Sequence, residues 1–147
     1  DVILEEEGSD AALKEEAVYI KAKSYLAQSK RTEAITLLEE LAKTPSTQYG
    51  AEATYMLIQD CYDRGDFTGV EDRTYAFSGA SAGQPYWLAK SFIVLGDSFA
   101  DQGELKQAQA TFESIRNAYT PKFFDDDVLD NVNMRLTKLQ TMIDGKK

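Results

Sequence analysis

Apolar residues along this chain recur at helical spacing in runs separated by short polar turns. In residues 11–28, Leu13, Ala17, Val18, Ile20, Ala22, Tyr25 and Leu26 recur near helical spacing, and in residues 32–43 Ala34, Ile35, Leu38, Leu41 and Ala42 fall on one stripe. A third helix starts near Gln48 to Gly50 and carries Ala53, Tyr55, Met56, Leu57, Ile58, Cys61 and Tyr62 as far as a turn at Arg64-Gly65-Asp66. The fourth, about 67–77, is more polar and contains Gly69, which weakens its helical signal. Tyr86-Trp87 opens a fifth, running through Leu88, Phe92, Ile93, Leu95, Gly96 and Phe99 to Gln102-Gly103, and residues 105–118 form a sixth. A last segment, 125–143, places Val128, Leu129, Val132, Leu136, Leu139 and Ile143 on one face.

These helices form pairs that can be laid over one another. Ala22, Ala34, Leu38 and Leu41 superpose on Ile58, Val70, Thr74 and Phe77, and those on Gly96, Ala108, Phe112 and Ile115. The intervening gaps are the same eleven, three and two residues each time, at separations of 36 and 38. A fixed period of this length is the mark of a solenoid of stacked helix pairs, because one pair alone cannot bury its apolar face. The sequence therefore predicts an all-α chain and a single domain over 1–147, with repeats at about 12–46, 48–84 and 86–121 and a C-terminal capping helix at about 125–143. Pro45, Pro85 and Pro121 fall where one repeat gives way to the next. Residues 78–85, rich in glycine and small side chains, read as a longer, flexible junction. At the start, Val2-Ile3-Leu4 followed by Glu5-Glu6-Glu7-Gly8 reads as the last turn of a helix ending at glycine, with Ser9-Asp10 capping the next. On that reading the sequence is a piece of a longer protein and begins inside a preceding repeat.

Composition narrows the class. The 147 residues carry a net charge of −9, with 25 acidic against 16 basic residues, no histidine and one cysteine. An acidic surface without a basic stripe argues against nucleic acid and against anionic membrane surfaces as partners. Absence of histidine removes the commonest metal ligand and the commonest general base at neutral pH. No apolar run approaches the roughly 20 residues that span a bilayer. The expectation is a chain that is not an enzyme, carries no cofactor or metal, and does not insert into a membrane.

The third unit, Leu95-Gly96, Phe99, Gly103, Ala108 and Phe112, resembles the tetratricopeptide repeat, with Phe92 where that pattern prefers tryptophan and Thr120-Pro121 at its closing proline. The first unit fits through Ala22, Tyr25, Ala34 and Leu38, although Ser29 replaces the turn glycine; in the second, Val70 and Thr74 replace alanine and an aromatic. The resemblance covers about residues 12–121. It implies a right-handed superhelix of antiparallel helix pairs whose first helices line a concave groove. Carried over position by position, that groove presents Glu16, Tyr19, Lys23 and Leu26, then Glu52, Tyr55, Gln59 and Tyr62, then Lys90, Ile93, Asp97 and Asp101. Tyr19, Tyr55 and Tyr62 stand out, because tyrosine joins a broad apolar face to a polar tip at low entropic cost; packing between helices is the other role open to them. The chain also looks like the C-terminal part of larger bacterial envelope-type proteins of this class, which favours the cell envelope or periplasm over the cytoplasm.

Other candidates for chemistry have structural explanations. Asp125-Asp126-Asp127 lacks the alternating ligands of a calcium loop and suits a helix start. In Arg64-Gly65-Asp66 the glycine serves the turn and the aspartate caps the following helix. Cys61 sits at an inward position, and Trp87 opens an apolar helix as a packing anchor. The function expected is binding of a protein or peptide segment in the groove, with Tyr19, Lys23, Tyr55, Gln59, Tyr62, Lys90 and Asp97 as its binding residues. The alternative is self-association or docking on upstream repeats of the same protein.

Overall fold

The computed structural model describes residues 2–80, 83–121 and 126–145, and among these the chain forms seven helices and no strand. Helices α1 (Val2–Ala27) and α2 (Arg31–Leu41) make one pair, α3 (Gln48–Asp63) and α4 (Phe67–Ala80) a second, α5 (Pro85–Asp101) and α6 (Leu105–Ala118) a third. Helix α7 (Asp127–Gly145) follows alone. Each helix packs on the next, and α1 also packs on α3, α3 on α5 and α5 on α7. First helices therefore stand side by side in one layer and α2, α4 and α6 in the other. This is the all-α helical-repeat solenoid that the period implies.

The turn inside each pair is the same structure three times. Ser29, Gly65 and Gly103 occupy the left-handed region at φ 61°, 76° and 80°. After each, the N–H of Lys30, Asp66 or Glu104 donates across the turn to the carbonyl of Tyr25, Cys61 or Phe99, at 2.8 Å in every case. Closing the helix end this way satisfies carbonyls that would otherwise lack partners and reverses the chain in three residues.

Two apolar clusters fill the space between layers. The first joins Ala22, Leu38 and Leu41 to Ala53 and Leu57 of α3. The larger one runs from Ile58 and Cys61 through Val70, Phe77, Leu95, Phe99 and Phe112 to Val128, Val132 and Leu136 of α7. Helix α3 belongs to both, with one side on each. Where α5 meets α6 the fit depends on glycine: a Cβ at Gly96 would lie 2.4 Å from the Phe112 ring.

Several expectations need correction. The backbone is one continuous helix through Gly8, Ser9 and Asp10. An interior glycine costs only about 1 kcal/mol, and the glutamates, alanines and lysine around it favour the helix. Helix α4 continues to Ala80, past the expected end at Phe77, and so takes up the start of the small-residue junction. Leu13 and Ile20, grouped by periodicity with Ala22, are 62% and 59% exposed, while Ala22 is fully covered. Ile93, expected on the groove, lies in the core at 5% exposure. Of the acidic triplet, Asp125 lies outside the described residues; Asp126 accepts the N–H of Val128 at 2.9 Å and so caps α7.

Candidate functional site

The layer of first helices carries the residues expected to bind, and each is held by a neighbour. Tyr19 on α1 donates its hydroxyl to Glu52 on α3 at 2.5 Å. Its ring lies 4.6 Å from that of Tyr49, and the exposed Lys23 ammonium stands 5.7 Å from the Tyr19 ring centre. Tyr55 packs on Trp87 at 5.6 Å, and Trp87 in turn meets Tyr86 edge-on at 5.0 Å. Gln59 donates to Asp63 one turn on, at 2.9 Å. Tyr62, at the end of α3, donates to Asp101 at the end of α5 at 2.5 Å. Lys90 bonds Asp127 at 2.7 Å, and Asp127 also accepts the Tyr86 hydroxyl at 3.0 Å. Asp97 takes both nitrogens of a guanidinium fork, Arg135 Nε at 2.8 Å and Nη2 at 3.1 Å.

The Tyr19–Glu52, Tyr19–Tyr49, Tyr55–Trp87, Tyr62–Asp101, Lys90–Asp127, Tyr86–Asp127 and Asp97–Arg135 contacts cross from one repeat to the next. Tyr19, Tyr55 and Tyr62 are each half-buried. The three do not converge on one point: Tyr19 belongs to the α1–α3 junction, Tyr55 to the aromatic group with Trp87, and Tyr62 to the α3–α5 junction.

Tyr62 and Asp97 share a cavity of about 420 Å³ between α5 and α7. Its floor is Ala100, Phe112 and Leu139, and its walls are Tyr62, Met134 and Met142. Asp101, Lys138 and the Asp97–Arg135 pair stand around it. Met134 is 63% exposed and Met142 42%. Two flexible thioethers lining the same cavity as a tyrosine ring can reshape around an apolar side chain, and the Asp97–Arg135 pair ties α5 to α7 beside it.

Protonation states in this layer follow from the contacts. Burial, and then the hydrogen bond to Glu52, push the Tyr19 phenol up to about 12. Burial and the bond to Asp101 raise Tyr62 in the same way. Hydrogen bonding from Lys90 holds the Asp127 carboxyl below the ordinary carboxylate range against the opposing effect of burial. Burial likewise pushes up the Cys61 thiol, which is free and inside the core. In the turn before α4, Asp66 accepts the Gly69 N–H at 3.0 Å. That tripeptide is a helix junction.

Among the described residues no group of three or more His, Cys, Asp or Glu is placed to hold a metal ion, and no helix is long and apolar enough to cross a membrane. Four residues of this layer escaped the sequence reading: Met134, Arg135, Lys138 and Met142, all on α7. One signal could have found them. Arg135 follows Asp97 by 38 residues, the spacing that carries Ile58 to Gly96, so α7 occupies the first-helix place of a fourth unit.

A tetratricopeptide repeat family model matches residues 16–46, which covers the C-terminal part of α1 and all of α2. No curated protein and no solved structure matches the chain. Together with the all-helical array, the match supports a tetratricopeptide-repeat-like helical repeat protein, a type of repeat that generally mediates protein–protein interaction.

Proposed function

From this repeat architecture we propose that the chain is a protein-interaction scaffold, not an enzyme, that holds a segment of a partner protein along the layer of α1, α3, α5 and α7. The groove residues are Tyr19, Lys23, Tyr55, Gln59, Tyr62, Lys90 and Asp97, joined by Met134, Lys138 and Met142 of α7. The observation that carries the reading is the cavity between α5 and α7, where Tyr62, Met134 and Met142 surround an apolar floor of Ala100, Phe112 and Leu139. A hollow of that size takes one large apolar side chain, and burial of a single anchor is how a shallow groove gains most of its affinity.

Exposed methionines at the cavity mouth give a clean test, since changing them leaves the core alone. Met134→Glu with Met142→Glu should keep the helical circular dichroism spectrum and weaken capture of a partner at least about tenfold, some 1.4 kcal/mol. Capture of the same partner at undiminished affinity would contradict the proposal.

A further inference from the structure

The side of α1 opposite Ala22 is apolar and uncovered. Leu13 is 62% exposed and Ile20 59%, with Ala17 and Ser24 exposed beside them. The four follow one another at steps of four, three and four residues, which is one stripe along a helix. The repeat register shows what such a stripe does elsewhere in the molecule. The steps of 36 and 38 residues that take Ala22 to Ile58 and Gly96 take Ala17 to Ala53 and Ser91, and Ile20 to Met56 and Val94. Ala53 and Ser91 are fully covered and Val94 is 4% exposed. Met56 is half-buried against the cluster that holds Leu38 and Leu41 of α2. In α3 and α5 this stripe is therefore the seat of the preceding pair, with α2 lying on α3 and α4 on α5.

The two ends of the solenoid differ. The outer side of α7 is mostly polar, with Asp130, Asn133, Thr137 and Thr141 all exposed and one large apolar side chain, Met134, 63% exposed among them. The α1 end instead shows the side chains that the interior units bury. In a second copy of the chain the second helices α2, α4 and α6 already lie on α3, α5 and α7, and its far end is mostly polar.

We propose that the Leu13, Ala17, Ile20 and Ser24 face of α1 is the docking seat for one more helix pair of this repeat type, carried on the same polypeptide ahead of α1. Its second helix lies across the stripe as α2 lies across α3. Leu13 and Ile20 are the projections of the seat, Ala17 and Ser24 its hollows, and aliphatic side chains of the incoming helix fill those hollows. The seat is the end face of α1 and not the groove side that carries Tyr19 and Lys23, so its failure leaves the proposed groove untouched.

The test is thiol accessibility. Leu13→Cys and Ile20→Cys are introduced singly, with Cys61→Ala, into the 147-residue chain and into the full natural polypeptide, and alkylation by a small maleimide is timed. Tyr75→Cys, at a position 52% exposed on α4, serves as reference. Both α1 sites should react freely in the 147-residue chain and at least about 100-fold more slowly, relative to the reference, in the full polypeptide, because a covered thiol reacts only through local opening. Equal rates in the two proteins, or slowing at only one α1 site, would overturn the proposal. Protection of both sites in the short chain alone, rising with concentration alongside a dimer mass in light scattering, would also overturn it and assign the stripe to pairing of two copies.

Discussion

Ser29 holds a φ of 61° at the turn position where Gly65 and Gly103 hold 76° and 80°. A side chain pays about 1 kcal/mol or more for that conformation, and glycine does not, although glycine also gains freedom in the unfolded chain. Ser29→Gly should therefore raise the unfolding free energy by about 0.5–1 kcal/mol, read from the denaturant midpoint at unchanged slope. Gly96 is the opposite case. A methyl group there meets the buried Phe112 ring at 2.4 Å, so Gly96→Ala should cost about 1–3 kcal/mol, with Phe112→Leu in the same chain recovering part of it. The register places Thr74 where the first unit has Leu38 and the third Phe112, fully covered and with its hydroxyl unbonded. Thr74→Val keeps the shape and removes an unpaired polar atom, so it should stabilise by about 1 kcal/mol; a loss of stability in the same denaturant titration would show that the hydroxyl has a partner.

Between elements, junctions are tied by a repeated chemistry of phenol or cation to carboxylate: Tyr19 to Glu52, Tyr62 to Asp101, Tyr86 and Lys90 to Asp127, and Arg135 to Asp97. Exposed pairs of this kind each contribute little, but they make the stack sensitive to pH in a definite direction. The Tyr19 phenol is raised from an ordinary 10 to about 12 in the folded chain. Its contribution is therefore complete below pH 10 and is lost as pH climbs from 10 toward 12. Stability should fall across that window, less steeply in Tyr19→Phe, and phenolate absorbance should show a late-titrating fraction that disappears on unfolding. Identical alkaline profiles for the two proteins would contradict this assignment. These cross-repeat links were not legible in the sequence, since nothing local marks Tyr62 and Asp101, 39 residues apart, as partners. Helix identity was legible, because Ala34, Leu38 and Leu41 repeat as Ala108, Phe112 and Ile115. Helix ends were less so: Gly8 looks like a terminator, yet the helix formers on either side carry the backbone through it.

For the molecule as a whole, the period exposed the architecture and hid two of its consequences. Periodicity tells which residues share a side of a helix and does not tell what covers that side. Leu13 and Ile20 share helical spacing with Ala22 and yet lie opposite it. Helix α7 was recognised as the element that closes the core, through Val128, Val132, Leu136 and Leu139, yet its other residues, Met134, Lys138 and Met142, extend the first-helix layer and form a wall of the cavity. The acidic balance, −9 over the chain, disfavours polyanions as partners of the proposed groove. On the proposed function this layer, and not the opposite one, receives the partner. A photoreactive phenylalanine analogue placed at Met134, beside the cavity, and separately at Tyr75, exposed on α4, decides it in a lysate that contains the partner. A discrete crosslinked species from position 134 with none from 75 is the result expected. The same species from both positions, or one from position 75 alone, would contradict the account.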